Sequence, residues 1–249
     1  MRFRESLRTM RGVARSLRIY YGDQRRRTAM DDFYRPFMRP GDLVFDIGAH
    51  VGDRVACFRR LGARVIAVEP QPALVRTLKW IYGRDRDVVI EAIGVAGRAG
   101  TIELRLNLDN PTVSTASAAL IEAARAAPTW QGQVWSKRID VPAATLDDLI
   151  ARHGRPRFIK IDVEGYEAEV LAGLSQPVEA LAFEFTMIQR AVALDCLAHC
   201  ARLGYRRYNA ALGESLRYEH SQWRSSEAMQ DWIENLPDAA NSGDLYALP

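Results

Sequence analysis

Short apolar runs alternate along this chain with segments of helical periodicity, and this alternation most limits the folds that it can adopt. The runs lie at 43–47, 64–68, 88–93, 158–163 and 180–185. Helical segments at 51–61, 72–82 and 192–203 follow three of them, and each ends before a glycine. Mostly apolar strands are typical of a parallel sheet that is covered on both faces. The sequence therefore predicts an α/β fold with a doubly wound, mostly parallel sheet.

Composition and cysteine usage narrow the class of protein. The chain has 249 residues, of which 48% are hydrophobic and 26% charged, values that exclude collagen, a coiled coil and bulk disorder. Its three cysteines, Cys57, Cys196 and Cys200, are too few and odd in number for a disulfide framework, which favours a reducing compartment. No apolar run approaches the roughly eighteen residues of a transmembrane helix, and no signal peptide is evident. We therefore expect a cytoplasmic location.

The first 27 residues differ in charge from the rest of the chain. They hold nine arginines against Glu5 and Asp23, a net charge of +7, which leaves about −4 for the remainder of a chain of net charge +3. Apolar residues recur in this arm at helical spacing and form one stripe: Phe3, Leu7, Met10, Ala14, Leu17 and Tyr21. Such a helix contacts an anionic membrane surface or a partner, or packs its stripe on the domain or on a second subunit. The narrow stripe favours packing of the helix on the domain or on a second subunit, so a homodimer is possible. The arm contains no recognised nucleic-acid reading module, which disfavours nucleic acid as a partner.

One long connection interrupts the alternation of strands and helices. About thirty residues at 107–137 contain no clear strand, and long connections of this kind are usually lids or binding loops. Ser114, Thr115, Trp130 and Trp135 lie in it and are the substrate contacts that we expect if it covers a cleft. The alternative is a surface hairpin extension. The predicted organisation is thus an arm at 1–27 and a single domain at 28–249 with a lid-like insertion.

The chemistry begins at a glycine-rich turn after the first strand. Asp46, Gly48 and Gly52 have the spacing Asp-x-Gly-x-x-x-Gly, which differs from the Gly-x-Gly-x-x-Gly of dinucleotide-binding proteins. Glycines allow a ligand to approach the backbone, and a helix that starts here offers N–H donors. An aspartate at the end of the strand would repel a pyrophosphate but suits a ligand with positive charge. S-adenosylmethionine, with its ammonium and sulfonium groups, is such a ligand.

A second acid follows the next strand. Glu69 comes directly after the run at 64–68, where a carboxylate can accept hydrogen bonds from both hydroxyls of a ribose. Each feature alone is common. Together, and about twenty residues apart in a strand–turn–helix context, they are the signature of a nucleoside cofactor.

Several segments resemble the FkbM family of S-adenosylmethionine-dependent methyltransferases. The matching segments are 44–53, 68–71, 114–117, 145–147, 159–167 and 183–185, and the run Lys-Ile-Asp-Val-Glu-Gly-Tyr-Glu at 160–167 is the most specific. Two departures from the usual pattern are His50 and Ala116. The resemblance implies a Rossmann-like class I methyltransferase fold with a seven-stranded sheet whose last strand, at 243–248, is antiparallel. It also implies transfer of a methyl group to a hydroxyl of a sugar, glycan or other secondary metabolite.

The glycine turn and the resemblance together define the expected site. The cofactor-binding residues are Asp46, Gly48, Ala49, His50, Gly52, Glu69, Pro70, Gln71, Ala92, Ile93 and Asp162. The resemblance places Asp162 and Glu164 beside the methyl group and the acceptor, where they are candidate general bases. His50 is a further candidate base, or else a histidine that packs in the turn. Two acids are too few for a clear cation site, so no metal is expected.

Two other functions compete with an O-methyltransferase. A nicotinamide-dependent oxidoreductase is opposed by Asp46 and by the missing dinucleotide motif. An inactive cofactor-binding adaptor is opposed by the acids at 46, 69, 162 and 164, which are all present. The expected partner is a small-molecule or glycan acceptor.

Overall fold

The computed structural model describes residues 2–249, without the side chains of residues 2–4 and 6. The predicted position of Phe3 in the apolar stripe therefore lies outside the described residues. The strands are β1 (Leu43–Ile47), β2 (Arg64–Val68), β3 (Val88–Glu91), β4 (Gly94–Val95), β5 (Gly100–Leu106), β6 (Lys137–Ala144), β7 (Phe158–Ile161), β8 (Ala180–Thr186), β9 (Arg207–Leu212) and β10 (Ser242–Leu248). The α-helices are α1 (Arg2–Tyr21), α2 (Gln24–Tyr34), α3 (Asp53–Arg60), α4 (Pro72–Tyr82), α5 (Ala118–Ala126), α6 (Leu146–His153), α7 (Glu167–Leu171), α8 (Arg190–Leu203) and α9 (Ser226–Asn235). None of the described helices is long and apolar enough to cross a membrane.

Seven strands form the central sheet, in the order β3-β2-β1-β7-β8-β10-β9. Neighbouring strands from β3 through β8 are parallel, whereas β10 is antiparallel to both β8 and β9. From β1 the chain continues to β2 on one side of the sheet, whereas β7 lies on the other side of β1. In open α/β sheets, ligands bind at such a switch point, beyond the carboxyl ends of the strands. The predicted class I methyltransferase fold, with its antiparallel last strand, is confirmed.

Apolar side chains fill both faces of this sheet, as the continuous apolar runs predicted. On one face Ile47 and Ile161 pack against α7 and α8, and on the other Val44 and Phe158 pack against α2 and α3. Side-chain caps fix several helix starts, including Thr145, which shares a capping box with Asp148 at the start of α6. The core therefore holds the carboxyl ends of β1, β2 and β7 in fixed relative positions.

A second, three-stranded sheet of order β4-β6-β5 carries the insertion. In this sheet β5 pairs antiparallel with β6. Residues 107–136 connect these two strands and contain α5 between two short 3₁₀ helices, at 111–113 and 128–130. Two α-helices, α2 and α9, were not predicted. The predicted boundary at residue 27 falls inside α2.

The arm forms the predicted helix, but much of its apolar stripe faces solvent. Met10 and Leu7 are 64% and 38% exposed, whereas the small residues Gly12 and Ser16 are buried. A Cβ atom on Gly12 would lie 2.7 Å from Cδ of Pro111 in the insertion. The helix α1 therefore packs on the domain through its small residues Gly12 and Ser16, and not through its apolar stripe.

Candidate functional site

The glycine turn joins the end of β1 to α3 by a close backbone crossing. The N–H groups of Gly48 and Ala49 both donate to the carbonyl of Val68, at 2.9 and 3.0 Å. Gly48 has φ of +85°, and a Cβ atom there would lie 1.8 Å from the carbonyl oxygen of Asp162. Only glycine fits this position without moving the backbone. The turn thus brings the ends of β1, β2 and β7 together.

A narrow cavity opens beside this turn, beneath the insertion. Its lining includes eight residues that the sequence predicted for the site: Gly48, Glu69, Pro70, Gln71, Ile93, Ser114, Asp162 and Glu164. Thr112, Ala116 and Tyr166 also line it and were not predicted. The cavity holds about 70 Å³.

Asp46 lies at the end of β1 and is only 2% exposed. Among the described residues its Oδ2 atom has no hydrogen-bond partner. Burial raises the pKa of this carboxyl to about 7, and the nearby negative charge of Asp53 adds to the shift. A buried acceptor without a partner is costly in a folded protein, so a cationic donor supplied by a ligand fits it well.

Glu69 is held by the backbone on both sides of the turn. Its Oε2 atom accepts from the N–H of His50 at 2.9 Å, and its Oε1 atom accepts from the N–H of Gln71 at 2.8 Å. Burial nevertheless raises the pKa of Glu69 to about 8. Each carboxylate oxygen keeps a free lone pair, so Glu69 can still accept a hydroxyl donor in the cavity that it lines.

Three carboxyl groups meet at the ends of β7 and β8. Oxygens of Asp162, Glu164 and Glu184 all lie within 4.8 Å of one another. Burial and the neighbouring negative charges raise the pKa values of Glu164 and Glu184 well above the ordinary glutamate range. Glu184 was not predicted as a site residue, because it stands in a strand with the sequence Ala-Leu-Ala-Phe-Glu-Phe-Thr and resembles any polar residue at a strand end. Glu184 thus adds a third acid to the predicted pair of Asp162 and Glu164, and three hard oxygen donors could hold a divalent cation.

Lys160 supplies positive charge to this cluster from within the core. It is fully buried on β7, and its Nζ atom lies 2.9 Å from Asp244 and 3.3 Å from Asp162. Burial alone would raise the pKa of Asp162, but Lys160 and Arg54 hold it below the ordinary value. Asp162 is therefore the ionised member of the cluster at neutral pH.

The loop after β7 has a strained shape that the insertion supports. Glu164 has φ of +56°, a left-handed conformation that residues with a Cβ rarely adopt. The hydroxyl of Thr115, which is 1% exposed, donates to the carbonyl of Glu164 at 2.7 Å. Glu167 accepts the N–H groups of Val163 and Gly165. The structure thus places Thr115 behind the loop rather than on the cavity wall.

His50 lies between the cavity and α1. Its Nε2 atom is 3.4 Å from the hydroxyl of Thr112, and the ring of Tyr20 meets the imidazole edge-on at 5.5 Å. Burial lowers the pKa of His50, so the ring is neutral at pH 7. A neutral imidazole can accept a proton, and its packing against Tyr20 also fits the alternative of a turn histidine.

Eight predicted site residues do not line the cavity: Asp46, Ala49, His50, Gly52, Ala92, Thr115, Trp130 and Trp135. Gly52 faces the core, where a Cβ atom would lie 2.6 Å from Tyr82. Ala92 is exposed, and Trp130 stacks on Trp135 with ring centroids 6.3 Å apart. Trp135 also donates its indole N–H to the carbonyl of Val113, which ties the two parts of the insertion together.

Comparison with known proteins gives one family match. The model of the methyltransferase FkbM domain matches residues 46–230, which include the glycine turn and the carboxyl cluster. No curated protein shows a significant match.

Similar solved structures share little sequence with the chain. A SAM-dependent methyltransferase from Geobacter sulfurreducens, in complex with S-adenosyl-L-homocysteine, is 12% identical, with 90% of each chain covered and a TM-score of 0.41. Fibrillarin from Aeropyrum pernix, with natively bound S-adenosyl-L-methionine, is 9% identical, with 84% of this chain and 67% of that chain covered and a TM-score of 0.45. Precorrin-6y C5,15-methyltransferase from Geobacter metallireducens is 11% identical, with 89% and 86% covered and a TM-score of 0.43. At these scores the likeness adds nothing to what the topology shows.

Proposed function

Because this chain belongs to the FkbM methyltransferase family, we propose that it transfers a methyl group from S-adenosylmethionine to a hydroxyl of a sugar, glycan or other secondary metabolite. S-adenosylmethionine is the cofactor of this family, and when bound it supplies an electrophilic methyl on a sulfonium. The residues of this chain would hold the cofactor and take up the proton of the acceptor.

The described residues fit the cofactor. The unpartnered oxygen of Asp46 suits the ammonium of the methionine part, and Glu69 can accept the ribose hydroxyls. Both groups bind best when ionised, although burial raises both pKa values. Gly48 lines the cavity, and its missing side chain allows the close crossing with β7. Pro70, Gln71 and Ile93 line the rest of the cavity.

The observation that carries the choice of a hydroxyl acceptor is the carboxyl cluster at the edge of the cavity. Methyl transfer to a hydroxyl releases a proton, which must be accepted as the new bond forms. Asp162 is ionised because Lys160 lies 3.3 Å away, and it lines the cavity. We assign Asp162 as the proton acceptor, with Glu164 and Glu184 able to share the proton because the cluster titrates as a unit.

His50 is the second base that the geometry allows. Its neutral ring lies beside Thr112, which lines the cavity. An acceptor that entered from the side of α1 would present its hydroxyl to this imidazole rather than to Asp162. The two assignments differ in which substitution abolishes turnover.

Calorimetric titration tests the cofactor assignment first. Purified protein is titrated with S-adenosylhomocysteine, and NAD⁺ serves as the control ligand. Micromolar affinity for the former alone is the expected result. Preference for NAD⁺ would indicate an oxidoreductase, and binding of neither would refute the site.

A radiolabelled methyl group then tests the reaction. The protein is incubated with methyl-labelled S-adenosylmethionine and a panel of sugars, glycans and phenols. Once an acceptor is labelled, we expect Asp162→Asn to lower kcat by about 10²–10⁴. Asp140→Asn, at an exposed position on β6, is the matched control. Full turnover of Asp162→Asn together with loss in His50→Gln would move the base to His50, and cofactor binding with no labelled acceptor in any class would favour the adaptor.

A further inference from the structure

The outward face of α1 combines exposed apolar side chains with arginines. Leu7, Met10 and Ile19 are 38%, 64% and 54% exposed, respectively, and they account for half of the large hydrophobic residues exposed in the described chain. At about 100° per residue, Arg11, Arg15 and Arg18 lie beside Leu7 on the exposed half of the helix, and Met10 and Ile19 lie at the two opposite edges of that half. We call these six residues the outward face of α1.

The three arginines of this face have no partner within the described residues. None of them forms an ion pair or a hydrogen bond there, whereas Arg8, which lies on the same half of the helix, pairs with Asp109 of the insertion. Their positive charge is therefore available to a partner outside the chain, next to apolar groups that are also uncovered.

The domain holds α1 firmly in this orientation. The hydroxyl of Tyr21 donates to the carbonyl of Val51 at 3.0 Å and lies 2.7 Å from the hydroxyl of Tyr82. At the other end, Lys137 lies 3.4 Å from Glu5. The helix is thus anchored to both the glycine turn and the insertion, and its outward face is presented by a fixed scaffold.

We propose that the outward face of α1 docks the protein on an anionic lipid bilayer. Arginines interleaved with apolar side chains match a surface of negative headgroups above acyl chains. A second copy that contacts this face through a two-fold axis would place arginines against arginines, which disfavours it. Single-stranded nucleic acid would need stacking rings, but Tyr20 and Tyr21 point inward to His50 and Tyr82.

A second cavity lies between this face and the site. About 210 Å³ lie between α1 and the insertion, lined in part by Arg15, Ile19, Tyr20 and Thr112. Arg15 and Ile19 belong to the outward face, and Thr112 also lines the cofactor cavity. On the bilayer, this second cavity would therefore open at the lipid surface, where an acceptor attached to a lipid headgroup could enter it.

Vesicle co-sedimentation tests the proposal with the full chain and needs no acceptor. The probes are vesicles of phosphatidylcholine alone and vesicles with one quarter phosphatidylserine. We expect binding to the anionic vesicles only, and its loss at high salt. Arg11→Gln/Arg18→Gln should weaken binding about twentyfold or more, because each basic residue near an anionic surface contributes about fivefold. Met10→Ser should also weaken vesicle binding, measured at the same salt concentration.

The control variant removes the same charge elsewhere. Arg64→Gln/Arg86→Gln alters two exposed arginines without ion pairs in the described structure, and it should bind vesicles like the parent protein. Affinity for S-adenosylhomocysteine, measured on each variant, reports folding and tests the cofactor site separately. Equal binding to both vesicles, an effect of the control as large as that of the Arg11/Arg18 variant, or preference for single-stranded RNA would each overturn the proposal. A dimer in solution that Met10→Ser dissociates would assign the face to a second copy instead.

Discussion

Cofactor affinity should depend steeply on pH, because two buried acids must ionise when the ligand binds. Burial raises the pKa of Asp46 to about 7 and that of Glu69 to about 8 in the free protein. An ammonium favours ionised Asp46, and ribose hydroxyls favour ionised Glu69. Both groups lose their protons on binding, so affinity falls as the pH falls.

The size of the effect follows from the two pKa values. For a ligand that binds only the ionised form, lowering the pH from about 8.5 to about 6 costs about tenfold at Asp46 and about eightyfold at Glu69. The combined loss in affinity is up to about 10²–10³, with the lower end favoured because the two charges also repel each other.

Isothermal titration with S-adenosylhomocysteine across this pH range measures the loss directly. Buffers of different ionisation enthalpy count the protons released, and we expect between one and two at about pH 6. Asp46→Asn should remove one part of the pH dependence along with most of the affinity. An affinity that is constant across the range, with no proton release, would refute the burial argument.

Three further predictions concern stability and backbone geometry. Asp46→Asn should raise the Tm of the free protein at about pH 8 by about 2–4 °C for each kcal/mol recovered, because the ionised carboxylate is buried without a partner; an unchanged or lower Tm in differential scanning calorimetry would contradict this. Gly48→Ala should abolish cofactor binding and should lower the free energy of unfolding in urea by more than Gly41→Ala does. Gly41 has a similar φ of +89° but open space around it, so Gly41→Ala should cost only about 1–2 kcal/mol. Equal losses of unfolding free energy in the two variants would rule out the steric reason. Thr115→Val should cost about 1–3 kcal/mol by leaving a loop carbonyl without its donor, and a smaller change than in exposed Thr101→Val would argue against that hydrogen bond.

The parts of the site that follow the backbone of the sheet were predictable. Asp46 and Glu69 stand at the ends of apolar runs, and strand ends meet at one edge of a parallel sheet, so their proximity follows from the pattern. Gly48 was recognisable because a turn between a strand and a helix needs it. The seven strands of the sheet and its antiparallel last strand were expected from the family resemblance alone.

The contacts that depend on close approach between distant segments were not predictable. Glu184 joins the cluster only because β8 pairs with β7 in one register, which places it beside Asp162. The packing of α1 follows Gly12 and Ser16, which carry no apolar signal, and it leaves Met10 exposed. Hydrophobic periodicity locates a helix but does not tell which face a nearby proline will approach most closely.

The ion pair between Lys160 and Asp244 has a consequence for the order in which the molecule forms. These residues are 84 positions apart, and Asp244 lies on β10, which is synthesised after the other described strands. Until β10 joins the sheet, closing the core over Lys160 would bury an ammonium that lacks one of its two acid partners, which is strongly unfavourable. The charge that keeps Asp162 ionised can therefore settle only after β10 has docked, so the edge of the sheet that holds the carboxyl cluster matures later than the strands that carry it.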